Sequence, residues 1–160
     1  MVIKERSRFH LAGGTVFRFE GHGELSGAEI GLPLVPVRLS SPQEPGGFVV
    51  NAILDSGATR TVIPPDLAED LGLEGLSFEG RMTTPGGDAS VARGRVNLAI
   101  VDSYFPSIAH WSFSELEVQV CESPDTLPMP LIGWDILSAF ETCLHPEEGF
   151  IVLRPARASA

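Results

Sequence analysis

One acid in this chain stands where it could do chemistry. Val49 to Leu54 is an apolar run that ends in Asp55-Ser56-Gly57-Ala58, and Thr61-Val62-Ile63 follows before Pro64-Pro65 stops it. A strand as apolar as the first run is normally buried. It would deliver Asp55 to the rim of a core, at a sharp turn. Gly57 gives that turn its backbone freedom, and leaves room for another chain or a ligand. A carboxylate in such a place is either a turn acid or a catalytic group that takes and returns protons.

Asp55-Ser56-Gly57-Ala58, preceded by Ile53-Leu54, resembles the catalytic loop of the aspartic proteases. With 160 residues, the chain suits a single domain, which points to the retropepsin-like branch that contains the retroviral proteases. A second mark of that family is two apolar residues and a glycine late in the chain, leading into a short helix. Leu131-Ile132-Gly133, followed by Trp134-Asp135-Ile136-Leu137, fits it. The resemblance runs roughly from Leu32 to Arg154. It implies an all-β, retropepsin-like closed barrel or sandwich with one or two short helices, as an obligate homodimer. Residues 31–155 would be that domain, 1–30 an N-terminal extension of unclear role, and 156–160 a C-terminal tail.

The chemistry implied by the resemblance needs two carboxylates around one water. One is ionised and takes the proton; the other is protonated and polarises the peptide carbonyl. The chain has one Asp-Ser-Gly. Asp102-Ser103 lacks the glycine, and Asp135 is placed to cap or start a helix. The second carboxylate would therefore be Asp55 of another copy, brought opposite the first by a two-fold axis. The resemblance assigns Ser56 to a hydrogen bond across that axis, and Gly57 to close backbone approach. Ala58 is supporting too: a hydroxyl there could stabilise the ionised acid, and alanine cannot. The working pH is accordingly expected to be weakly acidic to neutral.

Seventeen glycines and thirteen prolines punctuate short apolar runs, which favours β structure over helix. Thr15 to Glu20 alternates as a strand, and Gly21, Gly23 and Gly27 mark a loop. Leu34 to Leu39 is a strand that Pro36 demotes to an edge or a bulge. Phe48 to Leu54 pairs back on it. Pro65 to Gly72 is a short helix, with proline at its start and glycine at its end. Phe78 to Thr84 and Ala89 to Val96 flank Pro85-Gly86-Gly87-Asp88, a strong turn signal. The family resemblance makes this hairpin the flap over substrate, with Thr84, Pro85, Gly86 and Gly87 at its tip. The alternative is an ordinary surface hairpin. Arg95 to Val101 and Leu116 to Cys121 are further strands. Between them lies a loop, Asp102 to Ser114, whose aromatics form either a satellite cluster or part of a pocket. Trp134 to Phe140 is a helix, and Phe150 to Leu153 a terminal strand.

The net charge of −10 argues against a nucleic-acid partner, since phosphate contacts need Lys and Arg. No apolar run is long enough for a membrane span, and no signal peptide is legible, so a cytoplasmic protein is expected. Cys121 and Cys143 make no disulfide framework and read as two reduced thiols. His10, His22, His110 and His145 show no metal-ligand spacing, so neither metal nor cofactor is expected. The leading expectation is a homodimeric aspartic endopeptidase that binds an extended peptide or protein substrate beneath its flaps. The alternative is a catalytically silent dimer of the same fold that binds peptides or a partner. A third reading is an unrelated β-barrel binding module carrying a chance motif.

Overall fold

Alternation builds the central sheet. In the computed structural model, which describes residues 15–18, 22–25, 28–44, 46–84, 87–122, 127–145 and 149–156, strand β4 is Leu34–Ser40. It follows β1 (Thr15–Arg18), β2 (His22–Leu25) and β3 (Ala28–Gly31). Val35, Val37 and Leu39 of β4 are buried, and the residues between them are not. It pairs antiparallel with β5 (Gly47–Leu54), and then β6 is Val62–Ile63. Helix α1 (Pro65–Asp70) has proline at its start and buries Leu67 and Ala68. Beyond it lie β7 (Gly80–Thr84), β8 (Gly87–Val101), β9 (Ala109–Cys121) and β10 (Leu131–Ile132). The chain ends in α2 (Trp134–Leu137), β11 (Phe140–His145) and β12 (Phe150–Pro155).

The main sheet runs β4-β5-β10-β6-β9-β8-β7, and β4 pairs a second time, with β8, from Val37↔Ile100 to Ser40↔Asn97. That second ladder closes six strands into a barrel and leaves β7 outside as one arm of a hairpin. The fold is thus all-β and closed, with two short helices among the described residues. Pro36 stands one residue ahead of the second ladder, which therefore asks no N–H of it. Ile63, Leu98, Ile100, Val118, Val120 and Ile132 fill the barrel.

A second sheet, β1-β12-β11, joins the same core through Phe17, Phe140, Ile151 and Leu153. Phe17 of β1 is only 2% exposed and belongs to the core, so the segment set apart as an extension contributes a strand to the fold. β12 is the middle strand and spends both edges within the chain. Of the two segments that could serve as dimer strands, Phe150 to Leu153 and Thr15 to Glu20, the first is thus occupied on both sides; among the described residues this sheet leaves two edges unpaired, those of β1 and β11.

Other expectations shift as well. Of the glycines read as a loop at 21–27, Gly23 lies in β2, which pairs antiparallel with β3, while Gly21 and Gly27 lie outside the described residues. β8 is one strand of 15 residues, where two were expected. β9 begins at Ala109, so Trp111 and Phe113 are strand residues rather than loop residues. Both rings pack on Phe140, at 4.7 and 6.3 Å between centroids. The helix stops at Leu137, and Phe140 opens a strand. Residues 19 and 20 lie outside the described residues, as do residues 156–160 apart from Ala156.

What remains of the expected loop is 102–108, tied by one acid. Asp102 Oδ1 accepts from the N–H groups of Tyr104 (2.9 Å) and Phe105 (3.0 Å), and His110 Nε2 lies 3.5 Å from its other oxygen. Partial burial pushes the Asp102 pKa up, but the two N–H donors and His110 outweigh it, and the net shift is downward. A carboxylate lowered on folding stabilises above its unfolded pKa and loses that contribution as pH falls through the folded value. Asp102→Asn should therefore flatten the loss of stability below about pH 4, read by chemical denaturation across pH. An unchanged acid limb in the variant would show that this loop carries no such coupling.

Candidate functional site

The two sequence motifs meet because β10 lies between β5 and β6, parallel to the first and antiparallel to the second. Asp55, at the end of β5, donates its N–H to the carbonyl of Ile132 at 3.0 Å. The loop from Asp55 to Thr61 then passes over Gly133. A Cβ at Gly133 would collide with the backbone of Arg60, 2.8 Å from its N. Glycine is needed here for close approach.

A short hydrogen-bonded chain locks this crossing. Thr61 is fully buried. Its hydroxyl accepts from Gly133 N–H (3.3 Å) and donates to Asp135 Oδ1 (2.8 Å). The same carboxylate takes Thr61 N–H, at 3.0 and 2.9 Å to its two oxygens, and also Ile136 N–H at 3.0 Å. Trp134 adds two ties: its backbone N–H reaches the Ala58 carbonyl (2.9 Å), and its indole N–H the Ser56 carbonyl (2.7 Å). Asp135 was expected to cap or start the helix. It sits in the first turn of α2, but the N-cap is Gly133, which makes no side-chain cap, and most of what Asp135 holds is Thr61. The partner was not legible because it lies 74 positions away.

Within the loop, Gly57 N–H donates to Asp55 Oδ1 at 2.8 Å, and Ala58 N–H to the Asp55 carbonyl at 3.2 Å. A side chain at Gly57 would meet Asp55 Oδ1 at 3.1 Å. Asp55 is half-buried, while Ser56 and Gly57 are exposed. Among the described residues the Ser56 hydroxyl makes no hydrogen bond.

Asp55, Gly57 and Ala58 line a cleft of ≈ 550 Å³ with Leu131 of the second motif. Its far wall is the β7–β8 hairpin, through Arg81, Met82 and Thr83. That hairpin reads Thr84↔Gly87 at its end; Pro85 and Gly86, expected at the tip, lie outside the described residues, and the side-chain surroundings of Thr84 are likewise not described. Met82 and Ala89 of the hairpin pack on a small cluster of Val62, Cys121 and Leu127. Ile132 is buried in the barrel. A second cleft of ≈ 510 Å³, between the turn after α1 and Arg93–Arg95 of β8, holds neither motif.

No group of three or more His, Cys, Asp or Glu side chains among the described residues could hold a metal ion. Both cysteines are free thiols, Cys121 buried and Cys143 exposed. No helix among the described residues is long and apolar enough to cross a membrane.

A closed barrel with an Asp-Ser-Gly loop crossed over an apolar-apolar-glycine strand defines the retropepsin-like class of fold. The chain belongs to the aspartyl protease family, whose model matches residues 42–136 and so takes in both motifs. Among solved structures it is similar to a retropepsin-like aspartic protease from Rickettsia conorii, with a TM-score of 0.59 and 15% identity over 88% of this chain and 98% of that one. EIAV protease complexed with the inhibitor HBY-793 gives 0.49 and 17%, over 67% and 86%. The retroviral protease-like domain of Ddi1 from Leishmania major gives 0.46 and 16%, over 78% and 95%. No curated protein sequence matches the chain.

The Asp135 clasp generates a direct prediction. Asp135→Ala leaves the buried N–H and hydroxyl of Thr61 without their acceptor, at about 1–3 kcal/mol each. The loss should be roughly 3 kcal/mol, or about 6–12 °C in Tm for a domain of this size. Asp135→Asn keeps one acceptor oxygen and should lose less. Calorimetry decides it: a change within the ~0.5 kcal/mol of an ordinary surface substitution would show that the clasp does not hold the loop.

Proposed function

We propose that the protein is a homodimeric aspartic endopeptidase in which Asp55 of each of two copies supplies one carboxylate of the catalytic pair. The observation that carries this reading is Asp55 in the lining of a cleft whose far wall is the β7–β8 hairpin, its carboxylate held by Gly57 N–H at 2.8 Å. Two carboxylates about 3 Å apart cannot both ionise, and aspartic proteases are the standing example of a pair that shares one proton. The ionised member takes a proton from the water as its oxygen attacks the peptide carbonyl. The protonated member donates to the carbonyl oxygen. Collapse of the tetrahedral intermediate breaks the C–N bond and sends a proton to the leaving amine.

Several features support a second copy. β11, like β1 at the other side of the same sheet, is paired along one edge only among the described residues, and Glu141, Thr142, Cys143 and Leu144 are exposed on both faces of β11. Leu144 is 54% exposed, an apolar group that an added strand would cover. Unfinished edges of this kind invite pairing, and a two-fold axis would set β11 against its own copy. Ser56, exposed and with a free hydroxyl among the described residues, suits a hydrogen bond across the same axis. Trp134 lies next to it and is 50% exposed.

The β7–β8 hairpin would serve as the flap. Its packed base and glycine-containing tip suit a lid that opens at the end and stays anchored at the root. An extended peptide would lie between it and Asp55 as an added strand. Ala58 offers the pair no side-chain donor, so the one-proton window, which belongs to the pair, would lie at weakly acidic to neutral pH. A cytoplasmic setting fits that window.

The test is cleavage of a mixed peptide library from pH 3 to 8 (a roughly chosen range around carboxylate values). Wild type should cleave with a bell-shaped profile, and Asp55→Asn should fold normally yet lose at least about a thousandfold in rate. Retained turnover in Asp55→Asn, or a folded wild type that binds peptides without cutting them at any pH, would remove the peptidase reading.

A further inference from the structure

The charges around the cleft run against those of the chain. The protein carries a net charge of −10. Yet among the described residues the charged groups lining the Asp55 cleft are Asp55 itself and two arginines, Arg60 and Arg81. Arg60 comes from the end of the catalytic-type loop and Arg81 from the hairpin opposite. They approach the cleft from its two walls. The rest of the lining mixes apolar Val62, Met82, Leu127 and Leu131 with uncharged polar Thr59, Thr83 and Gln119.

Neither arginine is used up by its surroundings. Arg60 lies 3.4 Å from Glu117, but Arg93 shares the same carboxylate at 3.6 Å. Two cations on one anion leave an excess of positive charge. The pair is also well exposed, and such pairs contribute little and exchange readily. Arg81 is exposed and makes no ion pair or side-chain hydrogen bond among the described residues. An unpaired guanidinium at the wall of a cleft is a strong, directional donor set for a carboxylate, which it can hold through two parallel N–H bonds.

We infer that the cleft selects peptides carrying an acidic side chain close to the scissile bond, with Arg81 and Arg60 holding that carboxylate and the uncharged part of the lining taking its neighbours. This rests on the cleft being the peptide site proposed above and names the class of peptide it takes. The net negative charge of the protein does not oppose it at contact distance, because repulsion from remote groups is screened within about 8 Å at physiological salt. It does make encounter slower than binding strength alone would suggest, so the preference resides in the bound state.

Two measurements test it. In the first, a proteome-derived peptide library is cut with wild type and with Arg81→Glu, and residues flanking the cut bonds are counted. Wild type should enrich Asp and Glu at one flanking position by about fivefold, and Arg81→Glu should shift that position toward Lys and Arg. In the second, Asp55→Asn protein binds three labelled octapeptides, acetylated and amidated at their ends, that differ only in a central Glu, Gln or Lys. Glu should bind at least about fivefold more tightly than Lys, and the gap should close in Arg60→Gln/Arg81→Gln. Asp55-dependent cleavage without acidic enrichment would overturn this inference and leave the peptidase reading standing. Glu-selective binding by a protein that never cuts would do the reverse. Equal binding of the three peptides, or no binding of any, would overturn it outright.

Discussion

The structure depends on one crossing. The loop from Asp55 to Thr61 lies across β10, and the two are held together at Gly133, where no side chain fits, and at Asp135, which gathers the N–H and hydroxyl of Thr61. A buried threonine whose polar groups all find partners fixes the loop more firmly than its length would suggest, since each group left unpaired would carry its full desolvation cost. From that fixed end the chain runs back to Asp55 through two more ties, Trp134 to the carbonyls of Ala58 and Ser56. The position of the acid is thus set by hydrogen bonds from α2 and β10, elements far away in sequence. The barrel supplies the rigid frame beneath them, closed by the double use of β4.

Much of this was legible in the residues themselves. The run Val49 to Leu54 ending at an acid and a glycine marks a buried strand with a turn at its rim, and Leu131-Ile132-Gly133 marks the strand that crosses it. Local chemistry decides both: apolar runs bury, and glycine permits contact. Pro65 and Gly72 bound α1 for reasons equally local. The hidden parts depend on tertiary contact. Asp135 offers a helix-start pattern to any local reading, and its bond to Thr61 has no trace in the spacing. The strand at Phe140 was masked by helical periodicity through Ile136, Leu137 and Phe140, all three of which are indeed buried. β11 itself exposes both faces over most of its length, so it has no apolar alternation to give it away. The length of β9 was obscured by aromatic residues that read as loop decoration but pack against Phe140.

The site has the same mixture. Asp55, Gly57 and Ala58 line one cleft together with Leu131, the one residue of the second motif in that lining. What the motifs left out is the charge of its walls. Arg60 and Arg81 are ordinary surface residues in a linear reading, separated by β6 and α1, and only the folding of the hairpin opposite the loop brings them to one cleft. An acidic protein with a cationic groove around a carboxylate is a distinct electrostatic object: the arginines that would attract a substrate acid also lie near the acid that would do the chemistry.

The central claim is that one working site needs Asp55 from two copies. Mixing wild type with Asp55→Asn protein, under conditions where subunits exchange, measures this directly. At equal amounts and fixed total protein, random pairing leaves about one quarter of the dimers with two intact carboxylates. The account predicts that activity falls to about one quarter of the all-wild-type value. A fall to about one half, the value expected if each chain carries a complete and independent site, would contradict it.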